Sequence, residues 1–225
     1  MLHGIEPEIN YSLNEANLDA DLPDFDRNDR TAESNALGYA LVTRLTGKWI
    51  GLEGAETQRE VMWLKFSQGY ELNAADETDP FTDLRTQLIL RPSGYSSISF
   101  DLFYDMEHSR IPDFTIDGNL NDGKGNGLGI VYHRNQPVSG LVAVDNVNLT
   151  FDFALLKPLY LHYEQRYDIL ESNQLEQVIT LDLRQQCWGL QTTVREREEE
   201  RSIMFTLSLS GIGELGRWGT NFARK

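Results

Sequence analysis

The stretch Ala143–Leu155, AVDNVNLTFDFAL, sorts its side chains by parity. Val147, Leu149, Phe151, Phe153 and Leu155 fall on one side, and Asn146, Asn148, Thr150 and Asp152 on the other. A period of two marks an extended strand with two chemically different faces. About a dozen segments repeat this pattern, and almost none is apolar on both faces. Strands of that kind build either a soluble sandwich or a barrel with its apolar side turned out to lipid.

The bulk properties narrow the choice. The chain has 225 residues, 40% of them hydrophobic, with a mean hydropathy of −0.43. No apolar run reaches the ~18 residues that a membrane helix needs. Transmembrane strands give a far weaker hydropathy signal, so this leaves a membrane barrel open. The N-terminal MLHGIEPEINYSL has no basic segment followed by an apolar one and already reads as strand. The expectation is therefore either a cytoplasmic protein or a polypeptide whose beginning lies before Met1. A formal charge of −15 and a pI near 4.6 argue against a nucleic-acid partner.

Apolar positions at period two place twelve strands, from Ile5–Leu13 to Ile203–Ser210, with no helical segment and no glycine-rich linker between domains. The pattern predicts an all-β, antiparallel up-and-down meander in a single β-barrel region. Connections after strands one, three and five read as mostly long or acidic. Several even-numbered ones are tight, as at Pro92–Gly94, Lys157-Pro158 and Arg184–Gln186. The link at 47–59 is an exception, and the charged run Glu198-Glu199-Glu200 is short. Long loops at one end and short turns at the other are the asymmetry of an outer-membrane barrel.

Tyrosines add a second regularity. Tyr11, Tyr70, Tyr104, Tyr132 and Tyr167 lie on apolar faces near the ends of odd-numbered strands, and Tyr39 near the start of an even one. In a meander these six share one rim, as amphipathic aromatics do at a membrane interface. The opposite faces carry Asn146, Asn148, Asp152, His162, Glu164 and Arg166, with Glu8, Lys65, Arg85, Asp182 and Arg195 among others. Twelve strands enclose a lumen too wide for side chains to fill. A polar lumen with lipid outside is the expected arrangement, and the six named polar residues are expected to line it.

Chemistry-bearing constellations are few. The acidic loop with Asp19, Asp21, Asp24, Asp26 and Asp29 has the oxygen ligands for calcium but not the EF-hand spacing, so it reads as a solvated loop. Histidines 3, 108, 133 and 162 have no ligand spacing. No nucleophile elbow appears. The sequence gives no reason to expect a catalytic residue, a metal site or a cofactor. The one cysteine, Cys187, cannot pair within the chain; on the residues alone a free buried thiol is the plain reading.

Several segments also resemble a known family. HGIEPEINYSL (3–13), LPDFDRNDR (22–30), FSQGYEL (66–72), LRQQCWGLQTTVRERE (183–198) and RSIMFTLSLSGIGELG (201–216) look, in that order and spacing, like the C-terminal barrel region of the LptD family. These proteins assemble lipopolysaccharide in the outer membrane of Gram-negative bacteria. The resemblance implies a non-enzymatic lipopolysaccharide transporter whose partners are the plug lipoprotein LptE and the periplasmic bridge protein LptA. It implies that the N-terminal jellyroll and first barrel strands are absent from this chain. It implies a disulfide from Cys187 to that absent N-terminal domain. It also implies that Ile203, Met204, Phe205, Thr206, Leu207, Ser208, Leu209 and Ser210 form the last strand, one lip of a lateral exit gate. A general outer-membrane porin fragment is the alternative, and a soluble sugar-binding β-sandwich a more distant one.

Overall fold

The computed structural model describes residues 1–14, 34–50, 56–74, 79–137 and 142–223. Among them it forms thirteen strands: β1 (Leu2–Asn14), β2 (Ser34–Ile50), β3 (Glu56–Glu71), β4 (Leu84–Ser93), β5 (Ser96–Asp105), β6 (Arg110–Asn121), β7 (Gly127–Asn135), β8 (Val144–Leu156), β9 (Leu159–Asp168), β10 (Asn173–Arg184), β11 (Trp188–Arg197), β12 (Glu200–Leu209) and β13 (Gly213–Ala223). They make one sheet in sequence order, each strand hydrogen-bonded to its neighbours. The fold is all-β, antiparallel and up-and-down. By compactness the chain divides into two units, Met1–Leu90 with Phe100–Pro112, and Arg91–Ser99 with Asp113–Lys225.

In the first unit, cross-strand pairing keeps like with like. Ile9 stands opposite Tyr39 and Tyr11 opposite Leu37; Leu37 in turn faces Tyr70, and Leu41 faces Phe66. Because directly opposed residues share a face, these side chains form one apolar surface. The other face carries Glu8, Asn10, Lys65 and Arg85. Pro7 sits in β1, where the strand order begins and a missing N–H costs least. The second unit repeats the scheme. Leu128–Phe151–Tyr163–Ile179–Val194–Ile203 is one continuous apolar row across six strands. Two residues along each strand, Leu181, Thr192, Phe205 and Trp218 form the next.

The two faces differ in exposure, in the opposite sense to a soluble protein. Ile5, Ile9, Leu41, Phe66, Ile130, Phe153, Ile179, Leu181, Phe205 and Trp218 all stand exposed on the apolar face. The only buried hydrophobic side chains among the described residues, Val42 and Val178, lie on the polar face. Val42 is opposed by Glu6 and Lys65, and Val178 by Glu164 and Arg195. Thr206, the buried polar residue, is opposed by Gln191 and Arg217. Short side chains are covered because the aliphatic stems of long charged neighbours lie over them.

Two expectations need correction. There are thirteen strands, and Ile203–Leu209 is not the last: β12 pairs with β11 on one side and with β13 on the other, while Ser210 lies in the following turn. An edge available as a gate lip therefore does not exist there. β13 escaped notice because Gly213, Gly216 and Gly219 dilute its alternation, and glycine is a poor strand former. Gly219 has a structural use: a Cβ there would stand 3.0 Å from the Ile203 carbonyl oxygen, so close pairing of β12 with β13 favours its absence. Connections after even-numbered strands are two to five residues long. Those after odd-numbered strands run from nineteen after β1 and twelve after β3 through eight after β7 to four after β5 and β9 and two after β11, so the asymmetry is strongest in the first part of the chain. The acidic loop with Asp19 to Asp29 lies outside the described residues.

Val178→Ala removes two methyl groups from the most enclosed apolar site of the second unit. It is expected to lower stability by about 2 kcal/mol in equilibrium unfolding of the detergent-solubilised chain.

Candidate functional site

The polar face gathers the ionisable groups, and the register decides which of them meet. Asn146, Asn148 and Asp152 of β8 share this face with His162, Glu164 and Arg166 of β9. Asp152 Oδ1 lies 2.8 Å from His162 Nδ1, and Asn148 Nδ2 donates to Glu164 Oε1 at 3.3 Å. Arg166 reaches to β10, where its Nη1 is 3.5 Å from Glu176 Oε2. The six residues expected on one face thus do share it, though four of them form two separate pairs and Arg166 engages Glu176 outside the set, so there is no single cluster.

Other pairs complete this surface. In the second unit Arg184 Nε donates to Asp182 Oδ2 at 2.6 Å, and its guanidinium lies over the Tyr160 ring. In the first unit Lys65 Nζ donates to Glu8 Oε2 at 2.6 Å. Arg85 engages Asp101 through both Nε and Nη2, at 2.9 and 2.6 Å, while its guanidinium covers Phe103. Two-bond contacts of this kind fix geometry as well as charge. Glu176 and Arg197 were not singled out in the sequence, although parity with Asp182 and Arg195 would have placed them here.

Each unit has a concavity on this face. In the second, a cavity of about 640 Å³ is bounded by Asn119, Asn126, Asp152, Tyr160, His162 and Asp182. Room for it comes partly from the β6–β7 turn, where Gly123 adopts φ +66° and a Cβ would stand 2.8 Å from the Tyr95 ring. The first unit has a cavity of about 470 Å³ along Glu8, Lys65, Gln68, Thr82, Arg85 and Phe103. Asp83, at its edge, has its carboxyl pushed up by burial and by the nearby Asp105 carboxylate, against the pull of Arg110. Among the described residues, the partner of His162 is the Asp152 carboxylate and not a nucleophile. Thr180, its opposite number on β10, is bonded to Thr193 instead. Among the described residues, no three His, Cys, Asp or Glu side chains converge as metal ligands do. Both concavities present charged and amide side chains to their interior.

The six tyrosines lie toward the expected strand ends: Tyr11, Tyr39, Tyr70 and Tyr104 in the first unit, Tyr132 and Tyr167 in the second. Tyr11 and Tyr39 are 58% and 40% exposed, on the apolar face. Tyr70 and Tyr132 are steadied by edge-to-face contacts with Phe81 and Phe114. Cys187 is exposed rather than buried, in the β10–β11 turn, where its carbonyl accepts from the Ser210 amide. Among the described residues no helix is long and apolar enough to cross a membrane, which says nothing of strands.

No family model matches the chain, and no curated protein does. The chain is similar to two triple mutants of the Rhodopseudomonas blastica porin. One matches with 6% identity and a TM-score of 0.40, the other with 7% and 0.39; in each, 99% of this chain and 100% of the porin are covered. Likeness of that degree assigns no family, and the fold rests on the strand order and the register.

The cavity-side turn has a pH dependence of its own. Asp122 accepts from the Asn126 side chain and from the Lys124 and Asn126 amides, which lowers its pKa from the ordinary 3.8 to about 2. A depressed carboxylate stabilises the turn above the ordinary range, and this contribution is lost as pH falls through about 2. The Lys124 and Asn126 amide resonances should therefore shift with a midpoint near pH 2, and Asp122→Asn should abolish that titration.

Proposed function

We propose that this chain forms part of the wall of an outer-membrane β-barrel, with its apolar face in lipid and its polar face lining an aqueous passage for hydrophilic solutes. The inverted exposure carries this reading: Ile9, Leu41, Ile179, Leu181 and Phe205 stand out from the sheet, while the shielded Val42, Val178 and Thr206 lie among charged side chains. In water such an apolar surface would drive aggregation; in a bilayer it is the expected exterior. The exposed tyrosines toward one set of strand ends support an interfacial position for that rim. The paired carboxylates and cations of the polar face leave no continuous apolar track for acyl chains, which favours a passage for polar solutes.

A second reading, export of lipopolysaccharide to the outer leaflet, is favoured by the ordered segments that resemble the LptD family and by the exposed thiol of Cys187. In that reading Cys187 bridges to an N-terminal domain, and lipopolysaccharide, a plug lipoprotein and a periplasmic bridge protein are the partners. The pairing of β12 on both sides removes the lateral lip once expected at Ile203–Ser210, so the exit would have to lie elsewhere.

Leu181→Arg separates a lipid-facing position from a water-facing one. On a lipid-facing strand position it is expected to cost on the order of 1–4 kcal/mol in vesicle-reconstituted protein, more the nearer the position lies to the bilayer midplane. A change below about 0.5 kcal/mol, the usual size for a surface position in water, would defeat the membrane reading. A photo-crosslinker at Asn148 distinguishes the two passages. Capture of lipopolysaccharide in the outer membrane supports export, while free entry of small sugars into proteoliposomes without such capture supports the solute passage.

A further inference from the structure

Glu176 stands where β9, β10 and β11 adjoin on the polar face, and three arginines converge on it. Arg166 Nη1 lies 3.5 Å from its Oε2, while Arg195 Nε and Arg197 Nε lie 3.2 and 3.0 Å from its Oε1. The Glu176 side chain is only 12% exposed, whereas the three arginine side chains remain about half exposed, at 48, 45 and 53%. One carboxylate offers about four acceptor positions and three guanidiniums bring roughly fifteen N–H donors. N–H donors are therefore in surplus at this point.

The register extends the surplus into a recognition row. Arg195 is opposed by Ser202, and Ser202 by Asn221, so a guanidinium, a hydroxyl and an amide follow one another across β11, β12 and β13. In the adjoining row, Arg166 and Arg197 flank Glu176. A cavity of about 210 Å³ opens against Arg195, Arg197, Ser202 and Asn221, with Glu200 also on its wall. That volume is several times the roughly 30 Å³ share of a water molecule, enough for one tetrahedral oxyanion with some of its hydration. With Glu164, which accepts from Asn148 in the row of Arg195, the three arginines meet as many carboxylates (Glu164, Glu176 and Glu200), so the surplus here is of N–H donors and not of net charge. Planar forks of N–H donors beside hydroxyl and amide donors are matched to the oxygens of a phosphoryl group.

We infer that the row Arg195–Ser202–Asn221, with Arg197 beside it, binds a phosphoryl group, either esterified on a larger molecule or free as inorganic phosphate. The site needs only the polar face, so it stands apart from the proposed membrane role.

The test uses the full chain refolded in a non-ionic maltoside detergent, titrated at constant ionic strength with inorganic phosphate and, separately, with hexyl phosphate. Arginine Nε resonances and calorimetry report binding. Saturable binding tighter than that of chloride is expected, weakened about tenfold or more in the Arg195→Gln/Arg197→Gln double variant. Glu200→Gln removes the opposing charge and should tighten binding several-fold. It leaves both arginines in place, so it stays informative where the double variant fails to refold. Binding of hexyl phosphate alone identifies the ligand as an ester, and equal binding of both identifies the free ion as sufficient. Neither ligand binding more tightly than chloride, or binding unchanged in both variants, overturns the site. The result is independent of Leu181→Arg, so the two readings stand or fall separately.

Discussion

Everything in this sheet depends on register. Side chains alternate with a period of two, so a slip of one residue between adjacent strands would bring the polar set of one strand into the apolar face of the next. The pairing Phe151–Tyr163–Ile179 puts aromatic and branched residues side by side, and the same alignment sets Asp152 against His162. Neither face can be satisfied without the other. Bulges, at Leu45/Thr46 in the β2–β3 pair, Ala154/Leu156 in the β8–β9 pair, Gln174/Glu176 in the β9–β10 pair and Leu207/Ser208 in the β12–β13 pair, shift the count locally without exchanging the faces.

The polar face resolves a tension in composition. A chain of formal charge −15 would be expected to repel itself wherever its acids gather. On this face the acids instead alternate with cations: Glu8 with Lys65, Asp101 with Arg85, Asp182 with Arg184, and Glu176 with its three arginines. Most of these groups are half exposed, so each pair contributes little stability by itself. Their larger effect is to hold long side chains such as Lys65 and Arg195 in fixed lanes beside Val42 and Val178.

Much of the fold could be read from the sequence because the alternation is strict where the strands are rich in Leu, Ile, Val and Phe. Twelve strands were visible for that reason. β13 was not, because Trp218 and Phe222 are separated by Thr220 and accompanied by three glycines; its existence shows only in the pairing with β12. The polar partners were half legible. Parity places Asp152 and His162 on one face, but only the register reveals that they touch. Glu176 needed the neighbouring strands, since its three arginines come from β9 and β11, from ten to twenty-one residues away. Cys187 differed from the plain reading of a buried thiol because a tight turn leaves few neighbours to cover it.

The strictly sequential strand order has a kinetic consequence. Every pairing joins a strand to the next one along the chain, and most connections are five residues or fewer. Loop-closure entropy is therefore small at most steps, with the nineteen-residue link after β1 and the twelve-residue link after β3 as the costly exceptions. A sheet of this type can zip from any formed hairpin toward both ends, with cooperativity carried by nearest-neighbour interfaces, as in solenoid repeats. The segment from β4 to β13, where no connection exceeds eight residues, is where assembly should begin, leaving β1 and its long loop to be added last.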